Sequence, residues 1–368
     1  MQSHNFCAGP AALPPQVYAQ AAAAITNFNN TGVSILSISH RSEAFKAILY
    51  EALNTARELL QLPSADFELL LLPGGASQQF AMVPLNLLHP QGQAAYLVSG
   101  HWAKLAALEA QRIRPNCQII DSAEAQQYRC LPQLPQNFND KQQYTYLHLT
   151  TNNTIYGTQW ATLPLVNCPI VADASSDLLA APLQNIERLG FIYACVQKNI
   201  GAAGVTLVAI RKEFLQQSQK SGTQTNQQLP NIFNYQAHIK AKSLYSTPPV
   251  FSVYCTYLML QWVKQQGLEQ LARHNQLKAQ TFYTELDENP LFEGHAHPQH
   301  RSKMNAVFTC KNPDLIPVFA QFAAQNQITG IDGHRTIGGF RISFYNAIPL
   351  KSVQYLTEIM QAFTQKYG

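Results

Sequence analysis

Residues 190 to 204 read GFIYACVQKNIGAAG, and the reading of this stretch decides the fold. Phe191 to Val196 is apolar at every position, so a strand here would be covered on both faces, as strands are in parallel sheets lined by helices. The run ends on Gln197 and Lys198, Gly201 and Gly204 break the chain, and Val205 to Ile210 begins a second apolar run. Lysine is among the least often buried side chains. A lone lysine at a strand end ordinarily snorkels to solvent, so this one needs its surroundings to be given a role.

Outward from this stretch the pattern repeats. Phe67 to Leu72 precedes GGAS, Ala94 to Val98 precedes SGHW, Tyr144 to Leu149 precedes TTNNT, and Ile170 to Ala172 precedes DASSD. Gln78 to Leu88 and Ala103 to Arg112 fit helices between them. The alternation predicts an α/β fold with a mostly parallel sheet, and the polar residues stand beyond the carboxyl ends of its strands, where such sheets gather ligands. Val250 to Gln265 reads as a buried helix and Leu268 to Leu286 as another long one. Short strands are expected at Ala306 to Cys310 and Phe340 to Tyr345. Gln216 to Gln228, rich in Gln, Ser, Thr and Gly, reads as an exposed connection, and the change to a smaller second domain is placed near Gly267.

Composition excludes several classes. The chain has 368 residues, 46% of them hydrophobic, enough for a large core. Charged residues are only 12%, about half of the usual ~25%. With a net charge of +4 and no lysine or arginine run, neither nucleic acid nor an anionic membrane is an expected partner. Seven cysteines form no CxxC pair and no zinc-ligand spacing, so no metal is expected and the thiols read as reduced. Residues 1–15 lack the charged start and continuous apolar core of a signal peptide. Val250 to Val263 is too short and polar to span a bilayer. A cytoplasmic location is the expectation.

Asp173 ends another apolar run, with Ser175 and Ser176 behind it. A lysine amine beside an aspartate in an α/β site suggests a Schiff base with a carbonyl cofactor whose ring nitrogen the acid keeps protonated, and pyridoxal phosphate is such a cofactor. Gly74-Gly75-Ala76-Ser77, ahead of a helical stretch, could offer free N–H groups to its phosphate. Trp102 has the broad apolar face to stack on a flat ring, although a core tryptophan would look the same. No GxGxxG follows these strands and no GxxxxGK[ST] occurs, which argues against dinucleotide or nucleoside triphosphate binding.

NFxxGPAALP, SHRS, GGASQQFAMVPLNLL, ADASSD, QKNIGAAG, STPP, RSKMN and GHRxxGGxRxSxYNA, in this order, resemble the phosphoserine aminotransferases across essentially the whole chain. The resemblance implies a pyridoxal phosphate enzyme of the class V aminotransferase family, fold type I. It would have a seven-stranded large domain over 16–267, a small α+β domain over 268–368 with residues 1–15 packed near it, and work as a homodimer. It makes Lys198 the Schiff-base lysine, Asp173 the partner of the pyridine nitrogen, Trp102 the stacking residue and Thr154 a polar cofactor contact. Ala76, Ser77 and Gln197 would hold the phosphate, with Ser246 and Thr247 reaching it from the other subunit.

By the same resemblance Arg341 takes the substrate's α-carboxylate, and the two His-Arg pairs, His40 with Arg41 and His334 with Arg335, take its other end, the second pair from the neighbouring subunit. Arginine suits both tasks because its planar fork meets carboxylate or phosphate through two parallel hydrogen bonds. The implied reaction is a ping-pong exchange in which glutamate leaves as 2-oxoglutarate and 3-phosphohydroxypyruvate leaves as O-phospho-L-serine, as in serine biosynthesis. Some relatives also use 3-hydroxy-2-oxo-4-phosphooxybutanoate, in pyridoxine biosynthesis. Alternatives are another enzyme of this fold type, such as a serine–glyoxylate aminotransferase, or a non-catalytic binding protein on the same scaffold. The chain departs from the motifs at Cys7-Ala8, Asn153, Ala202 and Ser246, none of which removes the lysine, the aspartate or the arginines.

Overall fold

The structure is a computed structural model that describes residues 3–141, 144–220 and 229–368. The strands in chain order are β1 (His4–Asn5), β2 (Phe67–Pro73), β3 (Ala94–Val98), β4 (Cys117–Ser122), β5 (Tyr146–Thr150), β6 (Ile170–Asp173), β7 (Leu189–Cys195), β8 (Val205–Arg211), β9 (Phe292–Gly294), β10 (Asn305–Cys310), β11 (Ile328–Thr329) and β12 (Phe340–Ser343). Seven of them form one sheet in the order β2-β8-β7-β6-β5-β3-β4. Only β8 runs against its neighbours, pairing antiparallel with both β2 and β7; the other four pairings are parallel. The expected mostly parallel α/β sheet is therefore present. Because β8 is reversed, its first residue, Val205, lies beside Pro73 at the end of β2. The loop after Lys198 is thereby brought against the GGAS turn, where Gly74 N–H donates to the Gly204 carbonyl at 2.9 Å.

Both faces of the sheet are covered, which is why its strands read as unbroken apolar runs. On one face Leu69, Ala95, Leu147, Ile192 and Leu207 join the core packed under the helices Glu43–Leu59 and Val250–Gln266. On the other, Leu70, Tyr96, Tyr146 and Tyr193 pack under the helices Ala76–Leu87 and His101–Ile113. This second core carries polar atoms that satisfy one another: the Tyr96 and Tyr146 hydroxyls meet at 2.9 Å, and His148 Nε2 meets the Tyr193 hydroxyl at 2.9 Å. Burial pulls His148 down to about 3, so the ring is neutral.

β12, β10 and β9 form an antiparallel sheet packed on Phe282, Phe319, Leu356 and Phe363 from the helices Leu268–Glu288, Leu315–Gln325 and Leu350–Tyr367. β1 pairs in parallel with β11, and Phe6 is buried in this same core. From there the N-terminal segment crosses the sheet end: Ala11 N–H donates to the Gln197 carbonyl at 2.9 Å, and the Tyr345 hydroxyl donates to the Ala8 carbonyl at 2.9 Å.

Of the stretch Gln216 to Gln228, read as an exposed connection, residues 216–220 instead close the helix Lys212–Lys220, and 221–228 lie outside the described residues. That helix forms because Phe214 and Leu215 are buried against the tyrosine-rich core, a tertiary contact that local composition does not reveal. Among the described residues no helix is long and apolar enough to cross a membrane, and no cluster of His, Cys, Asp or Glu could hold a metal ion. All seven cysteines are unpaired.

Candidate active site

The site lies where the parallel strands end. β7 gives out at Cys195, and the turn that follows carries Lys198, with Nζ 5.8 Å from the centre of the Trp102 ring. Trp102 stands in the first turn of the helix His101–Ile113, just after β3. Asp173 is the last residue of β6, 3% exposed, and its Oδ1 accepts from the Ser175 N–H at 3.1 Å and the Ser175 hydroxyl at 2.6 Å. Burial pushes the Asp173 carboxyl up, while the positive charge of Lys198 and the Ser175 bonds oppose that push. Ser175 is in turn held by the Cys195 N–H at 3.2 Å. The aspartate ends β6 and the lysine follows the neighbouring β7, and Ser175 links the Asp173 carboxylate to the Cys195 N–H at the ends of these two strands.

Ala76 and Ser77 begin the helix Ala76–Leu87, whose N-cap, Gly75, makes no side-chain capping bond. The first N–H groups of a helix lack intrahelical partners and carry its positive end, so this start is open to an anion. The turn is locked from behind, since the Thr206 hydroxyl donates to the Gly74 carbonyl at 2.9 Å. Gly74 has φ +103°, a conformation that favours glycine. The Cys195 thiol, which burial pushes up, faces Ser175 and the Ala76 amide.

Arg341 lies on β12, half-buried, and donates through Nη1 to the carbonyl of the buried Thr154 at 3.3 Å. Burial pulls its guanidinium down, and Tyr345 and Cys7 act against that pull. Cys7, one of the motif departures, is thus a neighbour of this arginine. His334 and Arg335 lie on the hairpin that leads into β12. Burial, Arg341, His101 and Arg335 all lower His334, and its ring lies 6.1 Å from that of His101, which is 5.2 Å from Trp102. The hairpin depends on Gly333, where a Cβ would stand 1.9 Å from the Gly338 carbonyl oxygen.

One chain therefore brings Lys198, Asp173, Trp102, Ala76, Gln197, Thr154, Arg341 and His334 to the strand ends, linked as neighbours through these contacts. It does not tie the others in. Ser246 is partly covered and Thr247 exposed on the segment before the helix Val250–Gln266, and neither side chain is hydrogen-bonded among the described residues. His40 and Arg41 sit on the turn that Ser42 closes by capping the helix Glu43–Leu59, and among the described residues no hydrogen bond or ring contact links them to Lys198 or Arg341. Ser77 and Arg335 are exposed.

Residue types alone did not disclose the supports. His101 was visible only as a neighbour of Trp102. Asp177 is a partly buried carboxylate, pushed up by burial and bonded to the Thr151 hydroxyl and, at 3.0 Å, to Gln159. Ser302 and Asn305, from RSKMN, serve as a polar junction. Asn152 donates to Asn305 Oδ1 and to the Ser176 hydroxyl, each at 2.8 Å, and the Ser302 hydroxyl donates to Asn152 Oδ1.

Comparison with known proteins bears on this arrangement. Residues 3–356 match the family described as aminotransferase class-V. The phosphoserine aminotransferase of Flavobacterium psychrophilum is 42% identical over 367 residues, covering 100% of both chains. The solved structure of phosphoserine aminotransferase from Bacillus circulans subsp. alkalophilus superimposes with a TM-score of 0.91 at 35% identity, covering 100% of this chain and 99% of that one. The PLP-bound enzyme of the same name from Trichomonas vaginalis does so with a TM-score of 0.88 at 32% identity over 98% and 100%. With a family match over residues 3–356 and full-length relatives that share one name and this fold, the chain belongs to the class V aminotransferases, among the phosphoserine aminotransferases.

Proposed function

We propose that this aminotransferase binds pyridoxal 5'-phosphate and moves an amino group reversibly between O-phospho-L-serine and 2-oxoglutarate, giving 3-phosphohydroxypyruvate and L-glutamate. The observation that carries the reading is that one primary amine, one buried carboxylate, one indole face and one arginine converge at the strand ends. The residues fit the cofactor. An open helix start suits a phosphate, Asp173 suits a ring nitrogen that must stay protonated, and the Trp102 face suits a flat ring. When bound, this cofactor supplies an electron sink for the charge left when the substrate's Cα loses its proton.

The chain's own residues do the rest. Lys198 Nζ removes and returns the proton at Cα as a general base and acid. Asp173, fixed by Ser175, holds its charge against the cost of burial. Arg341 grips the α-carboxylate, and its bond to the Thr154 carbonyl limits where the guanidinium can turn. His334, Arg335, His40 and Arg41 receive the distal phosphate or carboxylate, each charge-assisted bond contributing about 1.5–3 kcal/mol. Ser246 and Thr247, whose side chains make no hydrogen bond among the described residues, reach the cofactor phosphate from a second copy in a homodimer.

A coupled assay of phosphoserine with 2-oxoglutarate tests this. The loaded protein should absorb at about 410–430 nm and turn over. Lys198→Ala should abolish both, and Arg335→Ala should cut kcat/KM for phosphoserine about 10–100-fold while barely changing the slow reaction with L-alanine. A wild-type protein that stays colourless with added cofactor would favour a binding protein instead.

A further inference from the structure

His334 belongs to the substrate clamp, yet its ring state is set by a residue outside it. The Thr336 hydroxyl lies 2.8 Å from His334 Nδ1, and the Thr336 backbone N–H points to the same nitrogen at 3.4 Å. A backbone N–H can only donate, so Nδ1 has to accept; in a neutral imidazole the other nitrogen then carries the proton. Nε2 makes no hydrogen bond among the described residues. The backbone holds this geometry in place: Ile337 and Gly338 N–H groups donate to the His334 carbonyl at 2.9 and 2.8 Å, and Gly333 N–H to the Gly339 carbonyl at 3.0 Å. From the large domain, the Tyr156 hydroxyl faces the Thr336 side chain.

We propose that Thr336 is a positioning residue that fixes His334 as its Nε2–H tautomer, so that the ring meets the substrate's distal anion as a neutral hydrogen-bond donor while Arg335 supplies the charge. The surroundings support a neutral ring. The groups that act on it, Arg341 and Arg335 on its own hairpin and strand and His101 from the facing helix, all oppose a further positive charge, and burial does so first. A neutral donor of fixed direction discriminates by geometry, favouring a phosphate or carboxylate at one distance from Cα. This deepens the functional reading above and rests on it.

The test uses the cofactor-loaded enzyme with Thr336→Val, which keeps the shape and the N–H but removes the hydroxyl, and Thr336→Ser, which restores the hydroxyl. Thr336→Val should raise KM for phosphoserine about tenfold, the loss of one bond to a charged group. Its kcat and its slow half-reaction with L-alanine, which has no distal anion, should stay within about twofold, and Thr336→Ser should return KM to within about twofold of wild type. In nitrogen NMR of histidine-labelled protein, the ring signals lost in His334→Gln should show the proton on Nε2. An unchanged KM, equal losses on phosphoserine and alanine, no rescue by serine, or a proton on Nδ1 would each overturn the proposal. An inactive wild type would instead sink the functional reading, so the two failures are told apart.

Discussion

Lys198 and Lys278 are both held at least partly out of water, and only one of them belongs to the site. Lys278 is 1% exposed, and its ammonium donates to the Phe344 carbonyl and, at 2.8 Å, to that of Tyr345. Burial pulls it down to about 7, against about 10.4 in an unfolded chain. Between these values the unfolded chain binds the extra proton, so this lysine makes stability rise with pH through the window from about 7 to 10.4 and costs most below it. From pH 7 to 9 wild type should gain up to about 2 kcal/mol over Lys278→Met, read as a widening gap between their urea midpoints; a constant gap would mean that the carbonyls keep the ammonium charged. Nothing in the sequence marked this lysine, because its acceptors lie 66 and 67 residues away. Lys198, Asp173 and Trp102 were legible for the opposite reason: each stands just past an apolar run, so local pattern alone puts them at strand ends.

At the scale of elements, the loop after the lysine is held against the helix Val250–Gln266. Ser252, in that helix, donates to the Ala203 carbonyl at 2.6 Å, and a Cβ at Gly201 would stand 2.5 Å from Thr256 Oγ1 and 3.2 Å from Thr256 Cα. The alanine at 202, where the motif has proline, therefore leaves a loop that is anchored by other bonds. Gly201→Ala should destabilise the protein by about 1–3 kcal/mol through overpacking. Thr256→Ala in the same chain should recover part of this in a double-mutant cycle, because the nearest atom is gone while the backbone contact stays; strictly additive losses would refute the contact. Most strands were readable to within a residue or two, because full burial on both faces leaves unbroken apolar runs. β4 escaped because its second through sixth residues, Gln118 to Ser122, are partly buried or, at Ile119, exposed at a sheet edge and include Asp121, which hides the run. We propose Gly267, at φ +77° between two helices, as the division between domains of residues 16–267 and 268–368.

For the whole molecule, the proposed clamp requires two copies, and mixed dimers can test it. When Lys198→Ala chains are mixed with chains lacking one clamp arginine, activity rises above that of the arginine variant only if that arginine serves the partner's lysine; if it serves its own, no site exceeds the variant's residual activity. Mixing with Arg41→Ala and, separately, with Arg335→Ala should recover about a quarter of the wild-type sites for one of them. Recovery with neither would place both pairs in one chain and sink the shared clamp. The order of apolar runs, turn glycines and strand-end polar residues determined by itself the sheet, the lysine, the aspartate and the chemistry they point to, since these follow from burial periods of two and 3.6 residues that local sequence carries. Tertiary structure alone decided that the reversed β8 presses the lysine loop onto the GGAS turn, that the segment after the N-terminal strand crosses from the far sheet to the Gln197 carbonyl, and that the Thr336 hydroxyl meets His334 Nδ1. Those contacts join segments far apart in the chain or depend on hairpin geometry, and no periodicity encodes which distant surfaces will meet.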